Sequence, residues 1–259
     1  MRIPRLFLDA PLSVGLHLNL PAEQANYLTR VLRLRPGAEL RVFNGLGLNG
    51  QTGTFHAQLI QDKPARIVVA QFIPSQTESP LKTHLLQGVS RGERMEYTIQ
   101  KAVELGINRI TPIHTQRSMV SLDGERAERR LQRWIEIARS ACEQCQRDIP
   151  PRIDPIIKLS QALVLPREEN ELALTLDPEA VHPLTRVPAR PRAVRLLIGP
   201  EGGLDENEIT AARAAGFEGV RLGPRVLRTE TAGVVALTVV QTLWGDLATG
   251  STETGSGTL

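Results

Sequence analysis

The order of apolar and polar positions changes character once along the chain. Up to residue 74 it alternates with a period near two: Ala38-Glu39-Leu40-Arg41-Val42-Phe43, then Thr52 to Ile60, then Ala65 to Phe72, with Asn44-Gly45 as a turn signal. Such a period puts successive side chains on opposite faces, so these runs predict short half-buried strands and a small β-barrel. From Lys82 onward, strand-like runs alternate with helical ones. Thr83 to Val89 predicts a strand; Met95, Ile99, Ala102 and Val103 recur at helical spacing until Gly106; Arg109 to Ile113 is strand-like again. A long helix follows, with Leu131, Trp134, Ile135, Ala138, Cys142 and Cys145 on one stripe. Apolar runs near Ile153 to Ile157, Leu172 to Leu176, Val194 to Ile198 and Gly219 to Leu222 predict further strands, and a last apolar helix runs from about Thr231 to Leu247. That alternation predicts an α/β domain with a mostly parallel sheet covered by helices. The polar, proline-bounded stretch from Pro74 to Pro80 reads as a linker. The expected organisation is a barrel over 1–74, an α/β domain over 75–249 and a small polar tail over 250–259, expected to be disordered.

Length agrees with two domains, since 259 residues is long for an ordinary single one. No apolar run approaches the roughly 20 residues that would span a bilayer, and the N-terminus lacks a signal-peptide core, so a cytoplasmic protein without membrane contact is expected. The net charge of +3 is uneven. Residues 1–74 hold eight Lys and Arg against four Asp and Glu, while the remainder holds 23 against 24. Of the 31 basic residues 27 are arginine, whose guanidinium fork suits phosphates and base stacking, although codon usage explains the preference equally well. Cys142 and Cys145 sit three apart on a helical stripe with no second pair, and read as packed thiols. His17, His56, His84, His114 and His182 show no ligand spacing, so no metal site is expected.

Two irregular stretches carry candidate chemistry. In Leu196-Leu197-Ile198-Gly199-Pro200-Glu201-Gly202-Gly203-Leu204 an apolar strand runs into a glycine-rich loop, after which Asp205, with Glu208 three residues on, predicts a helix start. Ligands of open α/β sheets sit at that carboxyl end. A phosphate is disfavoured because the loop has no Lys-Ser/Thr pair and carries Glu201. A zwitterionic or cationic ligand such as a sulfonium cofactor suits it better, with a plain tight turn as the alternative. The second stretch, Leu222-Gly223-Pro224-Arg225-Val226-Leu227-Arg228-Thr229-Glu230-Thr231-Ala232, precedes the apolar last helix. Capping would explain its threonines but not the neighbouring Glu230 and Arg228. By contrast Gly45-Leu46-Gly47-Leu48-Asn49-Gly50 matches GxGxxG by letter only. Strand-like composition follows it, so it reads as a hairpin turn.

IGPEGGLDENEI and LGPRVLRTETAG resemble the two signature loops of the RsmE family of SPOUT methyltransferases, and MRIPRLF, RVLR, RGERMEYTIQKAVELGINRITPIHTQRS and ACEQCQR resemble other motifs of that family. The resemblance covers nearly the whole chain. It departs in the barrel, where Tyr27 stands in place of a common His and Asn44-Gly45 in place of Asp-Gly. It implies an N-terminal PUA-like β-barrel that binds RNA, a C-terminal α/β domain with a deep trefoil knot, a homodimer, and S-adenosyl-L-methionine-dependent methylation of N3 of a uridine in 16S ribosomal RNA. The alternatives are methylation at another RNA position, such as a ribose hydroxyl, and a non-catalytic RNA-binding protein. The cofactor contacts so implied are Leu176; Ile198, Gly199, Pro200, Glu201 and Gly202 of the first loop; and Leu222, Gly223, Pro224, Val226, Leu227, Thr231 and Ala232 of the second. Uracil N3 carries a weakly acidic proton, so transfer needs a base and a stabiliser for the resulting charge. Glu230 is the candidate base or orienter and Arg228 the candidate stabiliser, against the alternative that both merely shape the loop. Arg5, Arg30, Arg33, Arg91, Arg94, Arg117 and Arg147 are the candidate RNA contacts.

Overall fold

The computed structural model describes residues 3–118, 124–187 and 190–248. The tail over 250–259, expected to be disordered, lies outside the described residues. The chain divides into two compact units: Met1–Glu78 with Arg139–Pro150, and Ser79–Ala138 with Pro151–Leu259.

In the first unit, β1 (Arg5–Phe7), β2 (His17–Asn19), β3 (Glu39–Phe43), β4 (Gly53–Asp62) and β5 (Ala65–Pro74) form one sheet in the order β1-β3-β4-β5-β2. β1 lies parallel to β3, and the other pairings are antiparallel. The alternation in β3 and β4 brings Leu40, Val42, Phe55, Ala57 and Leu59 together with Leu6, Ile67 and Val69 in a single core. Two strands, β1 and β2, escape the sequence pattern, since three residues are too few to display a period. So does α1 (Ala22–Asn26), which runs into a π-helical turn over Tyr27–Val31. The GxGxxG stretch is a turn: Asn44 Oδ1 accepts the amides of Leu46 and Gly47 at 3.0 and 3.2 Å, and β4 follows.

The segment Arg139–Pro150 is knitted into this unit by polar contacts. Arg5 pairs with Asp148, which also accepts the Ser75 hydroxyl, and the Phe7 amide donates to Glu143 Oε1 at 2.8 Å. Arg147 Nε donates to Glu78 Oε2 at 3.2 Å.

The second unit is a parallel sheet. Its strands β6 (Lys82–Gly88), β7 (Arg109–His114), β8 (Arg152–Ile153), β9 (Ile157–Lys158), β10 (Glu171–Leu176), β11 (Ala193–Ile198) and β12 (Glu218–Val220) run in the order β12-β10-β11-β6-β7-β8, with β9 also on β7. Every pairing is parallel. Its helices are α2 (Glu93–Glu104), α4 (Leu159–Leu163), α5 (Glu206–Ala214) and α6 (Thr229–Trp244), with the part of α3 (Gly124–Cys145) that precedes Arg139. The run Ile153 to Ile157 forms two short strands rather than one, because Pro155 has no N–H to donate to a ladder. All six residues of β11 are buried, as a central parallel strand requires. Among them Arg195 is matched by Glu171 and by the carbonyls of Leu165 and Pro166 at 3.1 and 2.6 Å. On α3, Trp134, Ala138 and Cys142 are buried, and burial pushes the Cys142 thiol up to about 12. It and Cys145 are free thiols.

Candidate functional site

The strands β10, β11 and β12 all end at one rim of the sheet, and the loops that follow them enclose a cavity of about 860 Å³. That volume lies in the usual range for small-molecule sites. The glycine loop after β11 forms one wall. A Cβ on Gly199 would come within 2.9 Å of the backbone of Gly203 and Leu204, so glycine is required there by the tightness of the loop itself. Below it, a Cβ on Gly88 at the end of β6 would come within 2.3 Å of the Pro200 nitrogen, so the loop rests directly on the neighbouring strand. Asp205 and Glu208 form the reciprocal cap predicted for α5, and the second Glu208 oxygen accepts the Gln116 amide at 2.8 Å.

The stretch before α6 forms the facing wall. Its junction with the glycine loop is a relay of polar groups: Gln87 Nε2 donates to Thr229 Oγ1 at 2.8 Å, and that hydroxyl donates to the Gly199 carbonyl at 2.6 Å. Glu230 follows in the first turn of α6, where the helix N-terminus favours a negative charge. Among the described residues its Oε2 is buried without a hydrogen-bond partner, and Oε1 lies 3.9 Å from Arg94 Nε. Burial alone would raise the Glu201 carboxyl. Backbone amides, including that of Arg91, and the Arg94 guanidinium outweigh it and hold the group below the usual carboxylate range.

Most of the expected cofactor contacts meet at this cavity. Leu176, Ile198, Gly199, Pro200, Glu201, Gly202, Leu222, Gly223, Val226, Leu227 and Ala232 line it, as do Arg228 and Glu230, whereas Pro224 and Thr231 do not. The sequence reading missed Thr175, Asp177 and Glu179, which also line it. The rule that α/β ligands lie at strand carboxyl ends points to them, because they close β10. It also missed Gln87 and Thr229 as the relay.

The arginines expected on RNA divide. Arg30, Arg33 and Arg91 are exposed. Arg5 and Arg147 are nearly fully buried, in ion pairs with Asp148 and Glu78. Arg5 also lies 4.2 Å from the centre of the Phe43 ring, and burial lowers its pKa. Arg117 donates to the Gly202 carbonyl at 2.9 Å and so braces the glycine loop, while Arg94 binds Glu201 at 2.9 Å.

The lining suits S-adenosyl-L-methionine. Leu176, Ile198, Leu222, Val226 and Leu227 offer an apolar bed, the loops offer backbone groups, and Glu201, Asp177 and Glu230 complement cationic groups without any lysine cradle. Among the described residues no cluster of His, Cys, Asp and Glu is arranged to hold a metal ion.

Comparison with known proteins places this geometry. The profile of the RNA methyltransferase domain matches residues 77–241, and that of the RNA methyltransferase PUA domain matches residues 20–69. The ribosomal RNA small subunit methyltransferase E of Buchnera aphidicola (subsp. Schizaphis graminum) is 33% identical over 95% of this chain and 99% of its own. The enzyme of that name from Neisseria gonorrhoeae, solved bound to S-adenosyl methionine, is 37% identical, with a TM-score of 0.85 over 95% of this chain and 100% of its own. A Legionella pneumophila methyltransferase in complex with the same cofactor has a TM-score of 0.89 at 37% identity, over 95% and 100%. With a PUA domain, a mostly parallel α/β domain and two loops meeting at its strand ends, this chain belongs to the ribosomal RNA small subunit methyltransferase E family of SPOUT RNA methyltransferases.

Proposed function

We propose that the protein transfers a methyl group from S-adenosyl-L-methionine to N3 of a uridine in 16S ribosomal RNA. The observation that carries this reading is the Glu230 carboxylate, whose buried Oε2 has no hydrogen-bond partner among the described residues, at a cavity whose two walls belong to the glycine loop and the start of α6. Bound there, the cofactor supplies an electrophilic methyl on a sulfonium. Everything else is asked of the protein's own groups. The Glu230 carboxylate is an acceptor at the cavity, and the N3–H of uracil is a donor. Arg228, on the same rim, answers the negative charge that spreads to O2 and O4 as that proton leaves. Leu176, Ile198, Leu222 and Leu227 give the cavity its apolar lining.

The wider reading follows the same family. The first unit, with residues 1–74 at its centre, supplies RNA affinity through Arg30 and Arg33, and Arg91 adds to it from the second unit. The second unit, through residue 249, carries catalysis within a deep trefoil knot. A homodimer is supported by α6: Leu237 is buried, but Val234, Val235 and Val239 are only partly covered, and Leu243 is 41% exposed. A cytoplasmic location is supported by the rRNA substrate of the relatives, and among the described residues no helix is long and apolar enough to cross a membrane.

Transfer of a labelled methyl from the cofactor to ribosomal RNA, followed by identification of the modified nucleoside, tests the assignment. N3-methyluridine is expected. A ribose-methylated nucleoside, or no label in RNA, would overturn it. Glu230→Gln should slow single-turnover methylation by about 10² to 10⁴. The defect should shrink at high pH, where the imide ionises unaided. An unchanged rate would remove Glu230 from the chemistry.

A further inference from the structure

Arg94 is among the arginines expected on the RNA backbone, and 45% of its side chain is exposed, yet its guanidinium is already engaged. Nη1 donates to Glu201 Oε1 at 2.9 Å, and the same oxygen accepts the Arg91 amide at 3.1 Å. The other edge of the guanidinium faces Glu230, with Nε 3.9 Å from Oε1. That is too long for a hydrogen bond but close enough for ionic attraction. The two carboxylates come from different loops, one after β11 and the other at the start of α6. Both line the cavity, as does Arg94.

The gap that Arg94 spans has a fixed width. Thr229 Oγ1 ties the two loops together beneath it by its 2.6 Å bond to the Gly199 carbonyl. α2 is anchored by the buried Met95, Ile99 and Ala102, and Thr98 Oγ1 donates to the Arg94 carbonyl at 3.0 Å. Two carboxylates at one rim repel each other, and a planar cation with donors on two edges can serve both at once. A lysine ammonium, as a point charge, cannot. With Oε1 turned toward Arg94, Oε2 is the Glu230 oxygen without a hydrogen-bond partner among the described residues.

We propose that Arg94 is a positioning residue for methyl transfer: it bridges Glu201 and Glu230 and fixes the orientation of the Glu230 carboxylate at the cavity that takes the target base. This rests on the reading of Glu230 given above. The test uses the full chain with Arg94→Ala, Arg94→Lys, Glu230→Gln and the double variant Arg94→Ala with Glu230→Gln. Melting temperatures confirm the fold, which a half-exposed side chain leaves intact. Calorimetry gives cofactor affinity, and methylation is followed at saturating RNA across pH and at several salt concentrations.

Arg94→Ala is expected to slow the saturated rate about tenfold to hundredfold, the usual scale for a misplaced reacting group, and to leave the KM for RNA within about twofold. Arg94→Lys should recover little, because it keeps the charge but not the span. The double variant should be no slower than Glu230→Gln, and both single defects should shrink as pH rises. An unchanged saturated rate, with a raised KM for RNA and a salt slope reduced by about one, would make Arg94 a phosphate contact and overturn the proposal. Additive losses in the double variant would also overturn it. A slow Glu230→Gln enzyme beside a fully active Arg94→Ala enzyme would overturn the role of Arg94 alone. A fully active Glu230→Gln enzyme would overturn the reading of Glu230 and, with it, that of Arg94.

Discussion

One hydroxyl joins the two walls of the cavity. Thr229 Oγ1 accepts from Gln87 and donates to Gly199, and the residue is 7% exposed. Thr229→Val keeps the shape but leaves the Gln87 amide and the Gly199 carbonyl without that partner. The expected cost is about 1 to 3 kcal/mol of stability, with weaker cofactor binding because the glycine loop loses its tether. Thr229→Ser should restore both. Thermal unfolding and calorimetry would check this, and a Thr229→Val protein with parent stability and affinity would show that the relay is idle. The sequence displays Thr229 as a helix-cap candidate but hides its partners, since Gln87 lies 142 residues away and only the folded sheet brings them together. The burial of Arg5 and Arg147 is hidden for the same reason. An arginine in sequence looks alike whether it faces water or a buried carboxylate, and Asp148 and Glu78 decide the matter from a distance.

Among elements, those long enough to repeat a pattern are legible, including β4, β5, β11, α2 and α3, and the reciprocal cap of α5 is legible from Asp205 and Glu208 alone. The three-residue β1 and β2 are not, because they arise from register with neighbours rather than from their own composition. Also invisible is the polar joint between β6 and β7. His84 Nε2 lies 2.8 Å from Thr111 Oγ1, and the Thr111 hydroxyl donates to Asp154, which also accepts from Arg109 Nε at 2.6 Å. The single hydroxyl proton of Thr111 goes to Asp154, so His84 must hold its own proton on Nε2. Burial, reinforced by Arg109 and Arg195, depresses its pKa to about 3 from the ordinary 6.5. The unfolded chain therefore takes up this proton first as pH falls. Stability is complete above about pH 6.5 and declines below it toward pH 3, by at most about 1.4 kcal/mol per pH unit from this residue. His84→Gln should flatten that part of the acid limb in denaturant titrations between about pH 6 and 4. An acid limb identical to the parent's would mean that His84 is not kept neutral.

For the molecule as a whole, charge and chemistry fall in different places. The N-terminal excess of arginine includes the exposed Arg30 and Arg33 beside the exposed Tyr27, while the cavity is lined by carboxylates as well as arginines. Arg30→Glu with Arg33→Glu should raise the KM for RNA and flatten its salt dependence by about one unit for each phosphate no longer neutralised, with cofactor affinity unchanged. An unaltered KM for RNA would remove this surface from recognition. Substitution is a better probe than deletion of residues 1–74. Asp148 and Glu143 lie in the same compact unit and would lose Arg5 and the Phe7 amide, which strips the buried Asp148 of its ion-pair partner.

The parallel sheet has a kinetic consequence. β11 lies between β6 and β10, and its partner β6 is the first strand of the second unit in the sequence, so the centre of the sheet cannot close until most of the unit has been synthesised. The Gln87 to Thr229 link waits longer still, for the last helix. Such distant pairings must meet the entropy of loop closure before any contact rewards it, which makes folding slow. Cofactor-binding capacity should therefore return in the last phase of refolding, after helical circular dichroism has recovered. If binding returned together with the earliest helical signal, the cavity would have to form before the strands that frame it.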